Sequence, residues 1–347
     1  MRCYTVDGRG LASLKMVDRP PPGPLAAGEV RIDVHAVALN YRDLLVASGQ
    51  YGGTQNPPII AASDMSGVVS EVGPGVTDFK LGDHVVNAPL RNWPAGMLCR
   101  SWSRSFVGGQ GVDGVLAEQV TYPAASLVNA PKHLSHEQAS TLVVAGLTAW
   151  ATLVTHGNTK PGQWVLIHGT GGVAIFATQI SRMLGARIIQ TTSNKKKAER
   201  LRTEFGVDAT LDYRDESWPE EVRRLTAGQG VDVVVELAGG ESLSKSIQAC
   251  NYGARIGIVG VLDGLESSIN VFSLIMHQVT VRGIYMESAA EMRRFSGAVE
   301  AGSLNPVIDR VFPMENVKDA YSHLHAQKHF GKIVIQVRAM SASPLPG

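Results

Sequence analysis

Apolar and polar residues alternate in two different rhythms along this chain, and the change of rhythm divides it. In the first part, short β-branched runs such as Val30-Arg31-Ile32-Asp33-Val34 and Gly67-Val68-Val69-Ser70-Glu71-Val72 are broken by Pro and Gly clusters at 20–24, 52–58 and 73–75. Runs of that kind, bounded by turn formers, predict the strands of a barrel-like β domain. A capping box at Ser135 and Gln138 then opens an apolar helical run through Ala151, read as the bridge to a second domain. Beyond it, strand-like runs at 163–168, 186–191, 209–211, 231–236, 254–259 and 279–284 alternate with helix-length segments. This alternation predicts βαβ units, right-handed crossovers and a parallel sheet covered on both faces. Helical stretches at 289–301 and 315–326 follow, and a last strand, Lys332-Ile333-Val334-Ile335-Gln336-Val337, is expected to return to the first domain. The tail 341–347 is expected to fray. The fold class is therefore α/β, with a doubly wound Rossmann sheet over 147–286 and a β domain built from 1–146 and 287–347.

The first turn of the parallel part carries Gly169-Thr170-Gly171-Gly172-Val173-Ala174 between strand 163–168 and an uncharged helix from Val173 to Leu184. Gly169 allows the tight turn, and Gly171 lets backbone N–H groups approach a pyrophosphate, which then sits at the positive end of the helix dipole. Ala174 replaces the third glycine, a variant the fingerprint tolerates. An NAD enzyme places an Asp or Glu about 20 residues further on to accept the ribose 2′-OH. Here the segment reads Thr191-Thr192-Ser193-Asn194-Lys195-Lys196-Lys197 and has no carboxylate. Hydroxyls followed by lysines favour a 2′-phosphate, and hence NADPH over NADH. The alternative, a solvated first helical turn, stays open for the lysines.

Composition narrows the partners. With 32 basic and 31 acidic residues in 347, the net charge of +1 gives no field for nucleic acid or an anionic membrane, so a small molecule is expected. The cysteines Cys3, Cys99 and Cys250 are too scattered for a disulfide framework or a CxxC site, which fits a reducing, cytoplasmic setting. No secretory leader or membrane span is expected.

Taken together, Gly28-Glu29-Val30, Asn40-Tyr41-Arg42-Asp43, Gly67-Val68-Val69-Ser70-Glu71-Val72-Gly73, Gly82-Asp83-His84-Val85, Gly146-Leu147-Thr148-Ala149-Trp150, the glycine turn and Gly331-Lys332-Ile333-Val334 carry a resemblance. Over residues 10–337 the chain resembles the medium-chain dehydrogenase/reductase superfamily, and within it the quinone oxidoreductase and enoyl reductase branch. The resemblance implies a partly open, GroES-like β-barrel catalytic domain beside the Rossmann domain. In the alcohol dehydrogenases of that superfamily, zinc is held by a cysteine, a His-Glu pair and a second cysteine; these positions fall here on Asn40, Ser63-Asp64 and Ala145. An amide, a hydroxyl and a methyl cannot supply zinc's thiolate and imidazole donors, so no catalytic zinc is expected. The four-cysteine lobe of those enzymes has only Cys99 within Asn92–Gln110, so no structural zinc is expected either. Asp64 stands in for a glutamate and is left without a role. His323, His325 and His329 form a weak alternative metal cluster, with 325 and 329 expected on one helix face.

The resemblance also implies site residues. Asn40, Tyr41 and Thr148 would border the nicotinamide, with Gly239, Gly260 and Val261 closing the cofactor cleft. Thr192, Ser193, Asn194, Lys196, Lys197 and Tyr213 would hold the adenosine phosphate, and Phe330 and Lys332 would return to the cofactor. Tyr51 stands where related enoyl reductases carry a tyrosine that protonates substrate, a role a phenol can fill; packing in its loop is the alternative. The expected activity is metal-free, NADPH-dependent hydride transfer to an activated C=C or a quinone. Two other readings remain: a zinc-independent NADP-linked alcohol or aldehyde oxidoreductase, and a non-catalytic NADPH-binding protein. Apolar residues of loop 88–112 (Trp93, Met97, Trp102, Phe106) and of 262–277 (Phe272, Met276) could line the substrate cleft, pack in the core or meet another subunit. The apolar edge strand 279–284 predicts a homodimer, with a tetramer left open.

Overall fold

A computed structural model describes residues 1–338, so the expected fraying of 341–347 lies outside the described residues. The chain separates into two units, Gly146–Met286 and a discontinuous one made of Met1–Ala145 with the chain from Glu287 onward.

The first of these contains six parallel strands in the order Ala209–Leu211, Arg187–Thr191, Trp164–His168, Val231–Glu236, Cys250–Ile258, Thr280–Gly283. This is the doubly wound order in which chain direction switches beside the first strand, with phosphate ligands expected at the carboxyl ends. The central strands read as continuous apolar runs because helices cover both faces. Leu166, Ile189, Val234 and Ile256 lie in one core cluster and are almost wholly buried. Each such side chain contributes roughly 1.5–3 kcal/mol relative to an exposed one. The fifth strand begins earlier than its apolar run suggests, because a register irregularity against Val231–Val233 admits 250–253 to the ladder.

The discontinuous unit is built on an open, mostly antiparallel sheet, ordered Ile308–Pro313, Lys332–Gln336, Glu29–Leu39, Asp64–Val72, His84–Asn87, Leu127–Asn129, with Gln119–Pro123 also on Glu29–Leu39. The sheet does not close into a barrel. Gly67 stands opposite Val34 at an irregularity of register, where a Cβ would fall 2.3 Å from the Asp33 carbonyl oxygen. A smaller sheet, Lys15–Asp18, Arg2–Val6, Ile59–Ile60, completes the unit. The expected capping box is formed by Ser135 and Gln138. The helical run it opens passes through two π turns, Leu142–Gly146 and Ala151–Thr155, and so ends later than Ala151. None of the helices among the described residues is long and apolar enough to cross a membrane.

Candidate functional site

In Gly146–Met286 the glycine turn follows directly from the first strand. Gly169 has φ +75°, the left-handed region, and an added Cβ would meet nothing within 4 Å, so the residue serves the turn rather than a tight contact. The following helix, Gly172–Met183, starts at Gly171 with no side-chain cap on its first N–H groups. Those donors suit an anion. The turn is braced from beneath. Gly169 N–H donates to the Thr191 carbonyl at 3.0 Å, and the buried Gln190 amide donates to the Gly169 carbonyl at 2.8 Å while accepting from Thr178 Oγ1 at 2.7 Å.

A second brace went unseen in the sequence. Glu236, fully buried at the end of its strand, accepts from the N–H groups of Ala238 (2.9 Å) and Gly239 (3.2 Å) and from Ser246 Oγ (2.6 Å). Since the Ser246 hydroxyl donates to the carboxylate, it accepts from His168 Nε2 at 2.9 Å, leaving His168 Nδ1 to accept from Thr191 Oγ1 at 3.2 Å. A carboxylate directly after the apolar run Val233-Val234-Val235 was the available signal. Gly260 is fixed by close approach, because a Cβ there would lie 2.0 Å from the Leu237 carbonyl oxygen; at Gly239 it would lie 2.8 Å from that of Gly264. Val261 is exposed, and Thr148 is buried within its helical segment, where its carbonyl accepts from Thr152 Oγ1.

At the end of the second strand the structure gathers part of the expected phosphate set. Ser193 Oγ donates to Tyr213 Oη at 3.1 Å, and Tyr213 is half exposed. Arg214, which sequence reasoning overlooked, reaches the Ser193 carbonyl at 3.3 Å and pairs with Asp212 at 2.6 Å. The Asp212 carboxyl is held below its usual range by that guanidinium. Asn194 caps the helix Lys195–Phe205, its Oδ1 accepting from Lys196 N–H (3.0 Å) and Lys197 N–H (3.1 Å). This cap explains how a helix can begin with three lysines, so their placement alone does not call for an anion. Thr192 is buried and its Oγ1 accepts from Asn194 N–H at 3.3 Å.

In the discontinuous unit, two of the positions that resemble zinc ligands, Asn40 and Asp64, face one buried ammonium. Lys332 Nζ donates to Asn40 Oδ1 and to the Leu39 carbonyl, both at 2.6 Å, and stands 3.9 Å from Asp64 Oδ2. Asp64 in turn accepts from Ser63 Oγ (2.6 Å) and from Val144 N–H (3.0 Å), next to Ala145. Burial pulls the Lys332 ammonium below its usual range, with Asp64 and Asp43 opposing. A divalent ion does not fit against an ammonium with no thiolate or imidazole beside it. Among the described residues no group of three His, Cys, Asp or Glu side chains could hold a metal. His323 instead pairs with Asp309 at 2.8 Å, and its helix ends at His325, so His329 is not on the face expected.

Asn40 caps the helix Tyr41–Ala47, and its N–H donates to Asp43 Oδ2 at 2.8 Å. Burial raises the Asp43 carboxyl to about 6, opposed by the adjacent Arg42. Arg42 also donates to the carbonyls of Val107 and Gly108, and its guanidinium lies 3.9 Å from the Phe106 ring centroid and 5.3 Å from that of Tyr51. Tyr51 is therefore held by cation–π packing as well as by the core it half enters. Tyr41 is 40% exposed. Phe330 is buried, with its N–H on Asp309 Oδ1. Of the apolar residues expected to line the cleft, Trp93 and Phe106 are core, whereas Met97 and Phe272 are exposed.

Residues 26–132 match the alcohol dehydrogenase GroES-like domain family, and residues 172–301 the zinc-binding dehydrogenase family. The zinc-type alcohol dehydrogenase-like protein C1773.06c of Schizosaccharomyces pombe is 33% identical over 94% of this chain and 96% of its own length. The 2-haloacrylate reductase of a Burkholderia species is 30% identical over 92% of each chain. A mycobacterial protein solved in complex with NADPH superposes with a TM-score of 0.80 at 26% identity, covering 97% of this chain and 100% of its own. Whole-length identity, both domain families and the sheet order agree: this chain is a member of the medium-chain dehydrogenase/reductase superfamily of oxidoreductases.

Proposed function

We propose that this chain is an NADPH-dependent reductase of activated C=C bonds or quinones that works without a metal. The observation that carries the reading is the set around Lys332, where the Asn40 amide oxygen, the Leu39 carbonyl and the Asp64 carboxylate face a buried ammonium. That set cannot polarise a simple carbonyl as zinc does, and it suits acceptors whose conjugation spreads the incoming charge onto an oxygen that hydrogen bonds can stabilise. The 2-haloacrylate reductase among its relatives, named for an unsaturated substrate, supports this direction.

When bound, the reduced nicotinamide would supply a hydride, the electron pair and hydrogen that the acceptor lacks. The turn at Gly169, Thr170, Gly171, Gly172 and Val173 is suited to its pyrophosphate, with open N–H donors and no clashing side chain. Ser193, Tyr213 and Arg214, with Lys197 on the adjoining turn, favour a 2′-phosphate because 191–197 carries no carboxylate and the one nearby, Asp212, is paired with Arg214. Tyr51 is the proposed proton donor, with Tyr41 the second candidate. The exposed apolar side chains Val271, Phe272 and Ile275, beside the edge strand Thr280–Gly283, support a homodimer, which light scattering would detect.

Steady NADPH oxidation with a naphthoquinone or an alkenal, slower NADH oxidation and none with saturated aldehydes would support the assignment. Alcohol-dependent NADP reduction, or tight NADPH binding with no turnover, would replace it.

A further inference from the structure

The two ends of the Asn40 amide sit in different circumstances. Oδ1 accepts from Lys332 Nζ at 2.6 Å, whereas Nδ2 is buried and meets no hydrogen-bond partner among the described residues. An ammonium has donors only, so the oxygen must be the end that meets it, and the amide is held one way round. Lys332 cannot easily swing away. It is 3% exposed, its second hydrogen bond is to the Leu39 carbonyl, and its charge faces Asp64. The strand Lys332–Gln336 that carries it is paired in register with Glu29–Leu39, so Lys332 is fixed to the backbone that ends at Asn40. Asp64 is itself fixed by Ser63 and Val144. A buried amide N–H group without a partner is uncommon and invites a specific explanation.

We propose that Lys332 is a positioning residue whose internal ammonium orients Asn40 so that Nδ2–H donates to the carbonyl or quinone oxygen of the substrate. The inference rests on the reductase reading above. In the step served, a new C–H bond forms at the β-carbon with the electron pair of the C–H bond that the reduced nicotinamide would give up. The C=C π pair moves into the adjoining C–C bond, and the carbonyl π pair moves onto oxygen. A proton delivered at the α-carbon, by Tyr51 on that reading and replaced from solvent, then restores the carbonyl. Negative charge on that oxygen strengthens its bond to the Asn40 N–H, so the donor acts on turnover more than on substrate binding.

The test is a double-mutant cycle on the full chain, with NADPH and a conjugated enone. Asn40→Ala should lower kcat on the order of 100-fold. Lys332→Met should lower it comparably, with the NADPH dissociation constant unchanged. The double variant should be no slower than Asn40→Ala, because Lys332 acts only through that amide. Multiplying losses, or an unchanged kcat in Lys332→Met, would overturn the proposal. Asn40→Asp covers the case in which Lys332→Met does not fold. It keeps the ammonium paired yet offers an acceptor where the donor was, so kcat should fall as in Asn40→Ala in protein whose circular dichroism matches wild type; retained kcat would overturn the proposal. If the wild type reduces no conjugated acceptor, the reductase reading fails. If it does and the variants keep pace, the Lys332 proposal alone fails.

Discussion

Acidification should unfold the discontinuous unit early, and the reason is a stack of three imidazoles. His35, His84 and His136 come from two strands and a helix start; the rings of His35 and His136 lie 4.2 Å apart, and those of His84 and His136 lie 4.0 Å apart. Ser66 Oγ joins His84 Nε2 at 2.7 Å and His136 Nδ1 at 3.0 Å. One hydroxyl can donate to one ring and accept from the other only while a ring nitrogen stays unprotonated. Burial, reinforced by the neighbouring imidazoles, lowers His84 to about 4 and His136 to about 3, and burial lowers His35 as well. Glu137 opposes this at His35 and His84, and Arg338 adds to it at His35. The unfolded chain, with pKa near 6.5, therefore binds more protons than the folded one below neutrality. The stabilisation is complete above pH about 6.5 and is lost as pH falls toward the folded values. Between pH 8 and pH 5, each of His84 and His136 should forfeit about 2 kcal/mol, roughly 4 together. Urea unfolding, read on peptides from strand Glu29–Leu39 after a short deuterium pulse, isolates this unit. His136→Gln should be less stable at pH 8 but lose about 2 kcal/mol less on going to pH 5. Parallel pH curves for variant and wild type would refute the reasoning.

Other perturbations have defined outcomes. Ser246→Ala strips a partner from both Glu236 and His168, so thermal melts should show a loss of about 1–3 kcal/mol and titration a weaker dinucleotide affinity; an unchanged melt would contradict the brace. Gly260→Ala places a Cβ 2.0 Å from the Leu237 oxygen and should cost about 1–3 kcal/mol or more, measured by urea denaturation. Arg214→Ala should weaken NADPH binding and flatten its salt dependence while leaving NADH unchanged, and equal weakening of both cofactors would remove Arg214 from the phosphate set.

What the sequence disclosed follows from which interactions are local. The six parallel strands were legible because short apolar, β-branched runs alternating with helix-length segments have few other uses, and, the start of the fifth apart, their observed bounds fall close to those runs. Gly169 was legible because a left-handed turn between such a strand and a helix leaves little choice of residue. The pairing of Lys332 with Asn40 spans 292 positions, and the histidine stack joins residues from three separated elements; no periodicity encodes either. Lys332 was expected at the cofactor, and its position beside Asn40 and Asp64 became readable only once antiparallel register set its strand against Glu29–Leu39. The lysine turn was legible as sequence, whereas the Asn194 side-chain bonds to the Lys196 and Lys197 amides were not.

The most direct test of the metal-free reductase claim is NADPH oxidation by protein dialysed against a strong chelator and assayed for zinc. Undiminished turnover with a conjugated enone or a naphthoquinone at negligible zinc content, and little with saturated aldehydes, is the expected result. Activity lost on chelation and restored by zinc, or confined to simple alcohols and aldehydes, would contradict it.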